Sequence, residues 1–287
     1  MNTTARLAGF GGALVLLAAG GFALGNAVGP SPATGEHRET GGEHAGMTGP
    51  VDELPGGLAS SQDGYTFAAA PTPEAGRFSF TITGPDGEPV TAFDVEHEKK
   101  LHLIVVRRDT AVYRHVHPEP APDGTWSVPL TLPAAGSYRA FADFTPTGGK
   151  PMTLGLDLSV AGDYRPASYA PGRTAQVDGY TVRLDGDLTA GKASPLTLTV
   201  SRGGVPVTDL QPYLAAYGHL VALREGDLAY LHVHPDGGPG DGRTAAGPQV
   251  RFAAEVPSAG TYRLFLDFKH GGVVRTAEFT VTTERRA

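Results

Sequence analysis

Phe78, Phe80 and Ile82 alternate with polar residues, and so do Leu196, Leu198 and Val200. Phe252, Ala254 and Val256 follow the same rule, as do Tyr262, Leu264 and Leu266. A period of two puts every second side chain on one face, the signature of a strand with one side buried. Gly, Pro and Asp clusters punctuate these runs at the spacing of a sandwich. No segment beyond the N-terminal stretch keeps a 3.6-residue period with caps, so the pattern predicts an all-β protein.

The pattern also occurs twice. Leu101–Glu119 (LHLIVVRRDTAVYRHVHPE) matches Gly218–Asp236 (GHLVALREGDLAYLHVHPD), with His102, His115 and His117 each 117 positions before His219, His232 and His234. Pro133–Phe144 matches Pro257–Phe268, now 124 positions apart, so the second copy carries extra residues around Gly237–Gly247. A unit of about 100 residues is the size of an immunoglobulin-like sandwich. The expected organisation is two tandem immunoglobulin-like β-sandwich domains, 64–162 and 173–283, joined by a Pro/Gly-rich linker over 163–172.

Ahead of them, Leu7–Gly25 carries no charge and follows a single Arg6. Such a stretch, 1–27 in all, reads as a hydrophobic helix that is a signal peptide or a membrane anchor. Its flank predicts that the rest of the chain lies outside the cytoplasm, secreted or held at the membrane. Residues 28–63 lack any hydrophobic period and read as a disordered tether. His37, His44 and Met47 within it are incidental to a solvated linker or a loose catch for copper.

Composition narrows the chemistry. The 40 Gly and 24 Pro among 287 residues favour turns over helices. A net charge of −7 supplies no basic stripe, which argues against nucleic acid as a partner. The chain has no cysteine, which removes disulfides, thiolate zinc sites and the blue-copper ligand set. There is no Gly-x-Ser-x-Gly elbow, and Gly148-Gly149-Lys150 is followed by Pro151 instead of the Ser or Thr a phosphate loop needs. The expectation is a protein that is not an enzyme.

Histidine carries the remaining signal. Six of the ten occupy equivalent positions in the two copies. If Glu225-Gly226 is a two-residue turn, His219 stands opposite His232 and diagonal to His234, and Arg108-Asp109 sets up the same triangle for His102, His115 and His117. Side chains at i and i+2 share a face, so three imidazoles converge on one metal ion per repeat. The proline after each His-Val-His ends the strand and places the cluster near a pole of its sandwich. Glu119, Asp236, Met152 and His270 are weaker candidates as outer ligands. Asp143 and Asp267 are expected to pair with Arg139 and Arg263 or, failing that, to support an imidazole. Tyr113, Tyr230, Tyr138 and Tyr262 are expected to pack or to bond to backbone.

The stretch DLQPYLAAYGHLVALREGDLAYLHVHPDG resembles actinobacterial secreted proteins with YtkA-like or FixH-like immunoglobulin-type domains. The resemblance spans both repeats and implies a β-sandwich linked with heavy-metal handling. The first repeat departs from it at AFDVEHEKKLHL, which puts charges and His97 where the second is apolar. Copper–zinc superoxide dismutase also sets a His-x-His on such a sandwich, but this chain lacks its disulfide and has too few histidines per repeat. The expected function is extracytoplasmic binding of copper, with zinc as the alternative, for sequestration or handover to a metal-delivery or membrane protein partner. The rivals are a metal-free partner-binding module and, behind it, a dismutase-like copper enzyme.

Overall fold

The computed structural model describes residues 54–70, 76–231 and 233–283, which form strands and no helix. The expectations for residues 1–27 and for His37, His44 and Met47 fall outside these. Among the described residues no helix is long and apolar enough to cross a membrane.

The first repeat contains β1 (Ser61–Gln62), β2 (Tyr65–Ala69), β3 (Arg77–Thr83), β4 (Leu101–Arg107), β5 (Tyr113–Val116), β6 (Glu119–Pro120), β7 (Thr125–Pro129), β8 (Gly136–Phe144) and β9 (Met152–Val160). They form two antiparallel sheets, β1-β2-β3-β7-β6 and β5-β4-β8-β9. The second repeat contains β10 (Thr174–Val177), β11 (Tyr180–Asp185), β12 (Ala193–Arg202), β13 (Val205–Pro206), β14 (His219–Arg224), β15 (Tyr230–Leu231), β16 (Val233–Pro235), β17 (Gln249–Glu255), β18 (Thr261–His270) and β19 (Val273–Thr282). Its sheets are β10-β11-β12-β17-β16, with β13 also on β12, and β15-β14-β18-β19. This is the expected pair of immunoglobulin-like β-sandwiches.

Alternation builds each core. Phe80, Ile82, Leu103, Val105, Trp126 and Ala140 meet inside the first sandwich, and Leu198, Val200, Leu220, Phe252, Leu264 and Phe279 inside the second. The two corner tyrosines do what their pattern predicts: Tyr138 and Tyr262 are buried, and their hydroxyls donate to the carbonyls of Ala134 and Ser258, each at 2.7 Å.

A third core lies between the repeats. β4 is buried along its whole length. Leu103 and Val105 face their own sandwich, while Ile104 and Val106 face outward onto Val221 and Leu223 of β14. Phe141, Leu228 and Tyr230 fill the same layer, and Tyr113 stacks on Phe265 with ring centroids 4.1 Å apart. Burying each large aliphatic side chain here contributes about 1.5–3 kcal/mol. The apolar runs LHLIVV and HLVAL are thus strands covered on both sides, which is why they do not alternate.

Two segments brace this interface. Residues Gly56–Ala59 run across it: Tyr230 N donates to Gly56 O, Gly57 N to Thr153 O, and Gly155 N to Ala59 O. Arg139 holds the same strap through the carbonyls of Gly57 and Leu58. On another edge the inter-repeat linker caps the contact, with Arg263 over the Tyr169 ring at 3.9 Å and Asp109 accepting from Ala167 N. A Cβ at Gly155 would fall on the Gly57 carbonyl oxygen and the Arg139 guanidinium. Gly155→Ala should therefore lower stability by about 1–3 kcal/mol, read as a drop in Tm. An unchanged melt would mean the strap does not bind β9 this closely.

Candidate metal centre

Both histidine hairpins close with wider loops than two-residue turns. In the first, Ile104 pairs with His115 and Leu103 with Val116, so the register carried one step further sets His102 across from His117 instead of His115. In the second, Leu223 pairs with Tyr230 and Ala222 with Leu231, two positions away from the expected register. The cause is an Arg–Asp pair that joins the end of the first strand to each loop. Asp109 accepts from the Arg107 guanidinium and from Ala111 N, while Asp227 accepts from Arg224 and from Ala229 N. Thr110, Val112 and Leu228 adopt positive φ to accommodate the added residues. A shift of two keeps every side chain on its own face, so the histidine convergence survives the change.

The face in question is the outer one, shared by both repeats. His102 lies on the side of β4 that carries Ile104 and Val106, and His219 on the side of β14 that carries Val221 and Leu223. His102, His115 and His117 bring one ligand atom each within 4.8 Å of the others. His115, His219 and Asp267 form a second such group. The two groups adjoin: the His219 ring is 4.8 Å from His115 and lies parallel to His102 at 5.5 Å. Instead of a separate pole on each sandwich, the described ligands gather in one cluster between the sandwiches.

Hydrogen bonds decide which nitrogens are free. His115 Nδ1 lies 2.8 Å from Asp267 Oδ2, and a carboxylate accepts, so Nδ1 carries the proton and Nε2 has the lone pair. Asp267 is itself held by Thr276, whose hydroxyl donates to Oδ1 at 2.6 Å. His102 Nε2 lies 3.1 Å from the Glu96 carbonyl oxygen, so that nitrogen donates and Nδ1 has the lone pair. These lone-pair atoms, His102 Nδ1 and His115 Nε2, face each other at 3.1 Å. Two acceptors at that distance require a cation between them, a proton or a metal. Two imidazole nitrogens on one tetrahedral ion, with bonds of about 2.0–2.1 Å, stand about 3.3 Å apart. His117 Nε2 and His219 Nδ1 are buried and have no hydrogen-bond partner.

The surroundings keep His102, His117 and His219 neutral. Burial, helped by His115, pulls His102 down to about 4 against the opposing pull of the Glu96 carbonyl and Asp143. Burial, then His115 and His102, pulls His117 down to about 3. Burial and the same neighbours hold His219 well below the ordinary imidazole range. Neutral imidazole is the form that binds metal.

The other candidates fall elsewhere. His232 lies outside the described residues. His234 is exposed on β16, which has left the β14 sheet to pair with β17, and it lines a cleft with His102 and His219. Glu119 is exposed on β6, and Asp236 is an exposed loop residue beside a different hollow, so neither joins the cluster. Met152 is packed in the first sandwich core, because its place on β9 faces inward. His270 bonds to the Tyr180 hydroxyl at 2.6 Å and to Asp209 at 3.0 Å, away from the cluster. The expected pairs of Asp143 with Arg139 and Asp267 with Arg263 do not form. Arg139 pairs with Asp157 and Arg263 with Glu278, which frees Asp267 for His115 and leaves Asp143 to accept from Thr153.

Among solved structures the chain is similar to a Corynebacterium diphtheriae protein described as membrane anchored, at 9% identity and a TM-score of 0.22, covering 78% of this chain and 60% of that one. It is similar also to the chicken CNTN1 FN1-FN3 domains, at 8% identity, a TM-score of 0.20 and coverage of 81% and 67%. A chimeric titin Z1Z2 tandem gives 14% identity, a TM-score of 0.19 and coverage of 73% and 90%. No curated protein matches the sequence. A family model described as a domain of unknown function, DUF8832, matches residues 60–162 and again 175–285, and the chain belongs to that family, carrying its domain twice.

Proposed function

We propose that this is a non-enzymatic, extracytoplasmic protein that binds a transition-metal ion, copper ahead of zinc, for sequestration or handover. The ion is held by His102 Nδ1, His115 Nε2 and His117 of the first repeat, with His219 of the second beside them. The observation that carries this reading is the 3.1 Å approach of two ring nitrogens whose partners leave both with lone pairs. Asp267 acts from the second repeat by fixing the His115 tautomer, the usual role of a carboxylate behind a metal-bound imidazole. Copper leads because a set of imidazoles suits it and it tops the divalent affinity order.

The export or anchoring segment, 1–27, belongs to the same proposal, as does the finer kinship with YtkA-like and FixH-like domains. The test is a calorimetric titration of the full chain with Cu(II) and Zn(II), beside His102→Ala/His117→Ala. Tight uptake by the unaltered chain, lost in the double variant, is the expected result. Equal uptake by both proteins would place the ion elsewhere, and no uptake of either metal would end the metal reading.

A further inference from the structure

Two places where the first repeat departs from the second meet over one cleft. Lys99 and Lys100 stand where the second repeat has Ala216 and Tyr217. Lys150 sits in the connection from β8 to β9, which runs from 145 to 151, whereas Gly271 and Gly272 alone join β18 to β19. These loops are stitched to each other. Asp94 N donates to Thr145 O, Thr147 N to Ala92 O, the Thr147 hydroxyl to Asp94 and the Thr145 hydroxyl to Glu96. The three lysines are thereby held at one hollow of about 580 Å³, with His97, His102 and His219 also in its wall. That volume is in the range of small-molecule sites.

Charge is what makes this hollow unusual. The chain as a whole carries −7, yet three ammonium groups gather here, and none has an ion pair or side-chain hydrogen bond among the described residues. Two carboxylates share the wall, and both are engaged: Glu96 accepts from Thr145, and Asp143 accepts from Thr153 at 2.8 Å and from the Tyr230 hydroxyl at 3.4 Å. Three lysines on the wall of one hollow give it a positive potential that a small anion would meet. A cation site alone gives no reason for such a rim.

We propose that this cleft binds a small polyvalent oxyanion, such as a di- or tricarboxylate or a phosphate, held by Lys99, Lys100 and Lys150. The site stands on the metal-free protein and does not require the metal reading. If an ion does occupy the histidine cluster, the anion lies beside it and offsets part of its charge.

Calorimetry on the metal-free full chain tests this, with citrate and inorganic phosphate as separate probes at low ionic strength. Citrate binding alone assigns a carboxylate ligand, and phosphate binding alone assigns a phosphate. Lys99→Gln/Lys100→Gln/Lys150→Gln should weaken the binding at least tenfold, whereas Lys192→Gln, on the remote β11–β12 loop, should leave it unchanged. The circular dichroism spectrum and Tm of the triple variant check that it folds. Failure of both anions to bind at about 1 mM would overturn the proposal. So would equal affinity in the triple variant, or an equal loss in Lys192→Gln. Loss of copper uptake in the earlier titration would leave this result untouched.

Discussion

Replacing His115 by alanine should lower copper affinity on the order of a thousandfold, and Asp267→Asn should lower it by about ten- to a hundredfold. The order follows from the bonding. In the proposed centre His115 offers Nε2 to the ion, 3.1 Å from His102 Nδ1. In that centre Asp267 stands behind His115, accepting the proton of Nδ1 at 2.8 Å, and an amide there keeps the geometry while losing the charge. The smaller effect is the more telling one, because Asp267 belongs to the other repeat. Competition against a chelator of known affinity measures both. If Asp267→Asn bound copper like the unaltered chain while His115→Ala did not, the carboxylate would have no part in supporting the ion-bound ring. If neither changed, the ion would have to be bound elsewhere. An ion held across the interface also stabilises it, by about 4 kcal/mol when free metal exceeds Kd a thousandfold.

The sandwiches themselves were readable from the chain. Phe78-Phe80-Ile82 and Leu196-Leu198-Val200 alternate because one side of β3 and of β12 faces solvent. The packing of one repeat on the other was written in the residues that fail to alternate. Leu101–Val106 is apolar at every position but His102, and a strand of that kind needs cover on both faces. With no second sheet assigned to cover it, the interface stayed hidden, and with it the fact that the histidines lie inside the contact instead of near a pole.

The convergence of His102, His115 and His117 was legible because side-chain facing depends only on the parity of the register. Which histidine lies across from which was not, since that depends on loop length. The loop length was set by Asp109 and Asp227 capping their own turns, a local bond that pattern alone does not reveal. The role of Asp267 was hidden for another reason. Arg263, four residues earlier on the same strand, looks like its partner in one dimension, but in the fold Glu278 on β19 claims the guanidinium.

The metal-free protein should lose stability as pH falls from about 6.5 to about 4, beyond what its carboxylates explain. His102 titrates at about 4 and His117 at about 3 in the fold, chiefly because burial opposes their charged forms, against about 6.5 for a free imidazole. Above 6.5 the rings are neutral folded or unfolded, and their titration contributes nothing. Below it the unfolded chain takes up protons that the folded chain refuses, so acid favours unfolding. Once pH passes below about 4, His102 protonates in the fold as well, and its share of the loss is complete. His102 alone accounts for about 3 kcal/mol over that window. Urea unfolding at pH 7 and pH 4.5 measures the effect, with His102→Gln/His117→Gln/His219→Gln as the comparison. Glutamine does not titrate, so the triple variant should lose distinctly less stability on acidification. The same loss in both proteins would mean the rings accept protons in place without penalty. Copper should raise the stability of the unaltered chain at both pH values without removing the acid loss, because that loss comes from protons taken up by the unfolded chain.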